Sequence, residues 1–108
     1  MNIPSQIVFG PHTYTIAHEP RPVASDDFVR RVLGATSVDT LSLVIDSSQA
    51  PTKQADTFLH ELIHLILISR EMQHLLGDHQ EMIVDNLASG LLEIFTRNGL
   101  QFDHLTER

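Results

Sequence analysis

The sequence predicts an α+β domain in which short N-terminal strands pack on two long helices. Turn signals and β-branched or aromatic residues dominate the first part of the chain, whereas apolar residues recur at helical spacing in the second. With 108 residues, 42% of them hydrophobic and 19% charged, the chain has the composition of one folded unit. We therefore treat residues 1–108 as a single domain.

The N-terminal residues predict a β-hairpin and a further strand. Residues 7–9 and 14–16 favour strands, and Gly10 and Pro11 between them favour a turn. A β-branched stretch over 41–45, which ends at Asp46, predicts another strand.

A short helix is expected between these strands. Ser25 is suited to cap its N-terminus, and Asp26 and Asp27 would place negative charge in its first turn. This helix would run to about Leu33 and end at Gly34.

Pro51 favours the start of a long helix that continues to Arg70 or Leu76. Because this helix is apolar on almost every side, we expect it to be buried. Gly77 and Asp78 predict a turn, and a second long helix is expected over about 79–98. Its core-facing residues should be those with three- and four-residue spacing, namely Met82, Leu87, Leu91, Leu92 and Phe95.

Composition excludes several classes of function. Fourteen acidic and seven basic residues give a net charge of −7, which is the wrong sign for binding nucleic acid or an anionic membrane. The absence of cysteine excludes disulfides, thiolate metal sites and a cysteine nucleophile. The chain shows no signal peptide and no apolar stretch that would span a bilayer, so we expect a cytoplasmic protein. The oligomeric state is left open.

The first long helix contains an HExxH motif, formed by His60, Glu61 and His64. Residues four apart lie on one helix face, so both imidazoles can reach the same metal ion, typically zinc. Glu61 would lie beside the metal, where a carboxylate can act as a general base on a metal-bound water. Burial of these polar side chains without partners would be costly, which also favours a metal site.

A catalytic zinc needs a third protein ligand. Glu81 is the strongest candidate, because it lies near the start of an antiparallel helix and can face back toward the two histidines. Asp78 and His79 remain alternatives. Asp85, one turn after Glu81, is placed to accept the second ring N–H of a ligand histidine.

These residues resemble the zincin metallopeptidases, specifically the gluzincin pattern of HExxH followed by ExxxD. The matching stretches are TFLHELIH at 57–64 and EMIVD at 81–85. The chain is most similar to small phage and prophage domains distantly akin to ImmA/IrrE-type peptidases. The resemblance implies zinc ligation by His60, His64 and Glu81, with Glu61 as the base, and hydrolysis of a protein or peptide substrate.

The resemblance also implies that the strand ending at Ile45 lies at a sheet edge, where a substrate can pair as an added strand. A developing oxyanion needs a donor in addition to zinc. The candidates are Tyr14, His12, His18, His74 and Arg97.

Two other functions fit the same residues. The chain could keep its zinc and act as a small acidic phage-type binding or inhibitor protein, or the metal could be purely structural. The presence of Glu61 argues against the structural role, because a stabilising site has no use for a carboxylate there.

Overall fold

A computed structural model describes residues 2–20, 34–37 and 39–102. It contains a four-stranded sheet and two long helices, which confirms the α+β prediction. The helix expected to begin near Ser25, and His104 in the C-terminal tail, lie outside the described residues. None of the helices in the described parts of the chain combines the length and the apolar character needed to cross a bilayer.

The predicted hairpin is confirmed. Strand β1 (Gln6–Phe9) pairs antiparallel with β2 (His12–Glu19), and Ile7 lies opposite Tyr14. Gly10 adopts a φ of 61° in the connecting turn, a conformation that glycine reaches without steric cost. Alternate residues of the hairpin, including Ile7 and Tyr14, point into the core.

The sheet has the order β1-β2-β4-β3, in which β3 (Gly34–Ser37) and β4 (Ser42–Asp46) pair antiparallel. The expectation that the strand ending at Ile45 lies at an edge is wrong, because β4 is paired with β2 on one side and β3 on the other. Its residues Leu43 and Ile45 are fully buried, as suits an interior strand. The two edges of the sheet are β1 and β3, and the sequence of β3, GATS, carries too little hydrophobic pattern to predict a strand.

A polar turn that begins at the buried Asp46 connects β4 to the first long helix. The backbone N–H and hydroxyl of Ser48 both donate to Oδ1 of Asp46, at 2.9 and 2.6 Å. The side chain of Gln49 donates to the Asp46 carbonyl and accepts from the hydroxyl of Thr57. These bonds fix where the helix starts relative to the sheet.

Helix α1 (Pro51–Ser69) ends at the earlier of the two predicted positions, so the extension to Leu76 is wrong. Glu71 has a φ of 55°, which a continuing helix cannot accommodate. A short helix α2 (Gln73–Leu76) and a 3₁₀ turn (Gly77–His79) follow. One side of α1 is buried, as expected, but Ile66 is exposed.

Helix α3 (Gln80–Arg97) is where the predicted core face is partly wrong. Leu92 and Phe95 pack against the core, whereas Met82, Leu87 and Leu91 are exposed. The residues that α3 buries most completely are Val84 and Ala88. The five residues predicted to face the core lie on two different faces of α3. Apolar residues cover more of the surface of this helix than the rest of the fold buries.

The end of the described chain closes the core beneath the two helices. After Gly99, Phe102 is fully buried, with its ring centroid 5.0 Å from Phe58 of α1 and 5.5 Å from Phe95 of α3. These ring contacts hold α1 against α3 and so fix the relative position of the site residues that the two helices carry.

Candidate metal centre

The two histidines of the motif lie together on α1. Nε2 of His60 and Nε2 of His64 are 3.0 Å apart, and the ring centroids are separated by 4.7 Å. Both side chains are largely but not completely buried. Two nitrogens at this distance share one proton as a hydrogen bond or bind a common cation.

Glu81 completes a three-residue cluster from the first turn of α3. Its Oε1 lies 2.8 Å from Nε2 of His64, and its Oε2 lies 3.5 Å from Nε2 of His60. All three ligand atoms lie within 4.8 Å of one another, and neither Asp78 nor His79 belongs to a metal-binding group within the described residues. The structure therefore brings together the three residues expected as ligands.

The cluster has the dimensions of a metal site. A tetrahedral ion with bonds of about 2.0–2.1 Å spaces its ligand atoms about 3.3 Å apart. The two Nε2 atoms are 3.0 Å apart, and they lie 2.8 and 3.5 Å from the Oε1 and Oε2 atoms of Glu81, respectively, so the observed separations are close to that value. The Glu81 side chain is 69% exposed, so one side of the cluster is open to water. The group could therefore hold a metal ion with room for a further ligand from solvent.

Each histidine has a second partner at Nδ1. Oδ1 of Asp85 lies 2.8 Å from Nδ1 of His60, which is the contact expected for a carboxylate that orients a ligand histidine. The side-chain nitrogen of Gln80 lies 3.3 Å from Nδ1 of His64. Since Nε2 must be unprotonated to bind a metal, Nδ1 would carry the hydrogen, and the Gln80 amide would present its oxygen by rotating 180°.

Gln80 was not predicted from the sequence. The order of the residues could have suggested it, because Gln80 directly precedes Glu81 at the start of α3. A glutamine at a helix start is too common to indicate such a role by itself.

Glu61 lies on a different side of α1, against the edge strand β3. Its side chain is buried, with 7% of the residue exposed, and Oε1 accepts a hydrogen bond of 2.6 Å from the hydroxyl of Thr36. That hydroxyl also lies 3.2 Å from the Glu61 carbonyl oxygen. Glu61 is not one of the three residues of the metal-binding group, and its carboxylate is bonded to Thr36.

Gly34 allows β3 to approach α1 at this point. A Cβ atom on Gly34 would lie 2.7 Å from Cγ2 of Thr57 and 3.1 Å from Cγ of Glu61. The roles of Gly34 and Thr36 were not predicted, because Gly34 was interpreted as the end of a helix and β3 was not expected. A Gly-x-Thr sequence at the start of a strand carries no signal that would have identified them.

The candidate oxyanion donors show no contact with the cluster among the described residues. His12 and Tyr14 line a separate cavity of about 410 Å³ beside Phe9 and Arg70. Arg97 is paired with Glu93 at 3.4 Å and lies sixteen residues after Glu81, or about 24 Å along a straight helix. His18 and His74 are exposed.

Comparisons with known proteins do not identify a family for this chain. The sequence matches no protein-family model, and it shows no significant similarity to a curated protein or to a solved structure. The motif and the geometry of the cluster are therefore the observations from which a function can be inferred.

Proposed function

We propose that this protein is a zinc-dependent metallopeptidase of the gluzincin type. The observation that carries the proposal is the convergence of three donor atoms, Nε2 of His60, Nε2 of His64 and a carboxylate oxygen of Glu81, within 4.8 Å. Two imidazoles and one carboxylate are the ligand set of several catalytic zinc sites. Glu61 follows His60 directly in the sequence, which is the position of the general base in an HExxH motif.

Zinc in this site would supply Lewis acidity, which polarises a carbonyl and lowers the pKa of a water toward neutrality. His60, His64 and Glu81 would hold the ion, while Asp85 and Gln80 orient the two rings. Glu61 would accept the proton of the attacking water at a carboxylate oxygen and later deliver it to the leaving amine. Thr36 would hold that carboxylate in place.

The proposed substrate is an extended protein or peptide segment. Strand β3 pairs with β4 on one side, and within the described residues no strand pairs with its other side. A peptide added at that edge would run beside Thr36, whose hydroxyl contacts Glu61. The strand proposed to pair with substrate is therefore β3, and not the strand ending at Ile45 that the sequence had indicated.

The test compares zinc content with proteolysis in four proteins. The unaltered chain should bind one zinc per molecule, measured by elemental analysis after dialysis, and should cleave members of a peptide mixture detected by mass spectrometry. His64→Ala should lose both properties. Glu61→Gln should keep the zinc and lose cleavage, because it retains the shape of Glu61 without its basic oxygen.

His74→Ala is the matched control, because His74 is an exposed histidine outside the cluster. It should keep both zinc and cleavage. Zinc binding without cleavage in the unaltered chain would overturn the peptidase proposal and favour a binding protein that retains a metal. A folded chain that binds no zinc would overturn the metal site itself.

A further inference from the structure

A cavity of about 410 Å³ lies between the turn of the hairpin and the C-terminal end of α1. Residues 9–12 of the turn and 68–70 at the end of the helix line it, together with Tyr14 of β2. Its volume falls in the range of about 300–1,000 Å³ that is typical of small-molecule sites. No residue of the metal-binding group lines the cavity, so it is distinct from the proposed metal centre.

Arg70 brings a positive charge to this cavity. Its Cζ atom lies 5.7 Å from the centroid of the Phe9 ring, close enough for cation–π attraction to hold the side chain over the ring. Within the described parts of the chain, Arg70 forms no ion pair. A guanidinium that rests on an aromatic ring still presents N–H donors in the fork that matches a carboxylate. Arg70 can therefore bind an anion in the cavity.

The surroundings of Arg70 favour a negatively charged ligand. No acidic residue lines the cavity, and Glu71, although it follows Arg70, is not one of the lining residues. The other two basic residues at described positions lie elsewhere. Lys53 is exposed in the first turn of α1, and Arg97 is paired with Glu93 at 3.4 Å. Since the whole chain carries −7, an unpaired cation beside a cavity is the exception in its described part.

Tyr14 supplies a second donor. The residue is 3% exposed, and its hydroxyl forms no hydrogen bond to another described residue. Among the residues that the structure describes, no fully buried side-chain nitrogen or oxygen lacks a partner, so this hydroxyl must reach solvent. The cavity that Tyr14 lines provides that access. The ring of His12, which also lines the cavity, has an N–H donor in either tautomer.

The end of α1 is arranged so that it does not repel an anion strongly. Unpaired carbonyl groups give the C-terminus of a helix a partial negative charge. Here the carbonyl groups of residues 66–68 each accept a hydrogen bond from a backbone N–H within residues 70–72. These bonds and the charge of Arg70 offset the dipole at this end of the helix.

We propose that this cavity binds a carboxylate that carries an apolar group. The carboxylate would accept hydrogen bonds from Arg70 and Tyr14, and the apolar group would lie against Phe9, Pro11 and Ile68. The C-terminal residue of a peptide and a small N-acylated amino acid share this chemistry. A phosphate group is less suited, because Arg70 offers one positive charge and much of the remaining wall is apolar.

The test is an NMR titration of the full ¹⁵N-labelled chain in excess EDTA, so that no carboxylate can bind through a metal. The ligands are an acetylated tripeptide ending in leucine, the same tripeptide with a C-terminal amide, and N-acetyl-leucine. The acid should bind with a Kd of about 0.1–3 mM and shift the amide signals of Gly10, His12 and Ser69. The amide should bind at least about tenfold more weakly, because it lacks the charge.

The two acids distinguish the source of the ligand. Tighter binding of the tripeptide acid than of N-acetyl-leucine would assign the cavity to a peptide C-terminus. Equal affinities would assign it to a small carboxylic acid. Either result supports the proposal, provided that the amide binds more weakly than both acids.

Three variants test the named residues. Arg70→Gln should weaken binding of the acid by about 10–100-fold, and Tyr14→Phe by about 2–10-fold while keeping the ring that packs in the core. Lys53→Gln is the matched control, because it removes the same charge from an exposed position of the same helix. Its affinity should not change. The spectra of the three variants without ligand show whether each one is folded.

Four results would overturn the proposal: no binding of either acid, equal binding of the acid and the amide, unchanged affinity in Arg70→Gln, or tighter binding of inorganic phosphate than of N-acetyl-leucine. Shifts confined to β3 and α3 would also overturn it, since they would place the ligand at the edge proposed for substrate. The experiment uses neither zinc nor proteolysis, so it can fail independently of the proposed function.

Discussion

The hydroxyl of Thr36 lies 2.6 Å from Oε1 of Glu61 and 3.2 Å from the carbonyl oxygen of the same residue. This pair joins the edge strand β3 to the helix that carries both histidines. Glu61 as a residue is only 7% exposed, so the Thr36 hydroxyl is an important source of hydrogen bonding for its side chain. It also sets the direction in which Glu61 faces.

We expect Thr36→Val to lower kcat by about tenfold and stability by about 1–3 kcal/mol, because a hydrogen bond to a buried carboxylate is lost. Zinc content should not change, since Thr36 is not a ligand. Thr36→Ser keeps the hydroxyl and should restore most of kcat. Steady-state kinetics and urea unfolding of the two variants provide the measurement. Equal kcat values in the valine and serine variants would show that Thr36 does not position Glu61.

Asp85→Ala should weaken zinc binding by about 10–100-fold, because the ring of His60 loses the carboxylate that orients it. Competition with a zinc-sensitive chelating dye measures this affinity. Asn86→Ala is a suitable control on the next position of α3, since the Asn86 side chain bonds to the carbonyl of Met82 and not to the cluster. An unchanged affinity in Asp85→Ala would mean that the 2.8 Å contact plays no part in metal binding.

Gly34→Ala should destabilise the fold by about 1–3 kcal/mol, because its Cβ would overlap Cγ2 of Thr57 at 2.7 Å and approach the Val44 carbonyl oxygen at 3.1 Å. Gly90→Ala is the matched control and should stabilise the chain by up to about 1 kcal/mol through helix propensity. Both are compared with the unaltered chain by thermal unfolding at the same protein concentration. A neutral Gly34→Ala would contradict the close packing of β3 on α1.

Zinc should raise the melting temperature of the chain, and the increase should grow with the free zinc concentration. The effect should weaken as the pH falls, because the metal binds only deprotonated ligand atoms. Differential scanning calorimetry at several pH values measures both trends. A stabilisation by zinc that is the same at every pH would contradict a site built from His60, His64 and Glu81.

The local parts of this fold were predictable, since each is determined by a short stretch of sequence. Gly10 and Pro11 predicted the turn of the hairpin. The i,i+4 spacing of His60 and His64 predicted that both rings lie on one helix face. The proximity of Glu81 and Asp85 followed from a short turn between two antiparallel helices. In each case the relevant residues are close in sequence or are linked by a connection of defined length.

The features that depend on pairing between distant residues were not predictable. Strand β3 has almost no hydrophobic pattern, so neither its place at the sheet edge nor the contact between Thr36 and Glu61 could be inferred. The core face of α3 was misassigned for a related reason. Leu87 and Leu91 are as apolar as Leu92, and only the position of α1 determines which of them is buried.

The most direct test of the metal centre is a crystal structure of the protein grown with zinc, with anomalous diffraction data collected on both sides of the zinc absorption edge. The expected result is one anomalous peak within about 2.0–2.2 Å of Nε2 of His60, Nε2 of His64 and a carboxylate oxygen of Glu81. A zinc-containing crystal in which the two rings point apart and no peak lies between them would contradict the proposed site and the function derived from it.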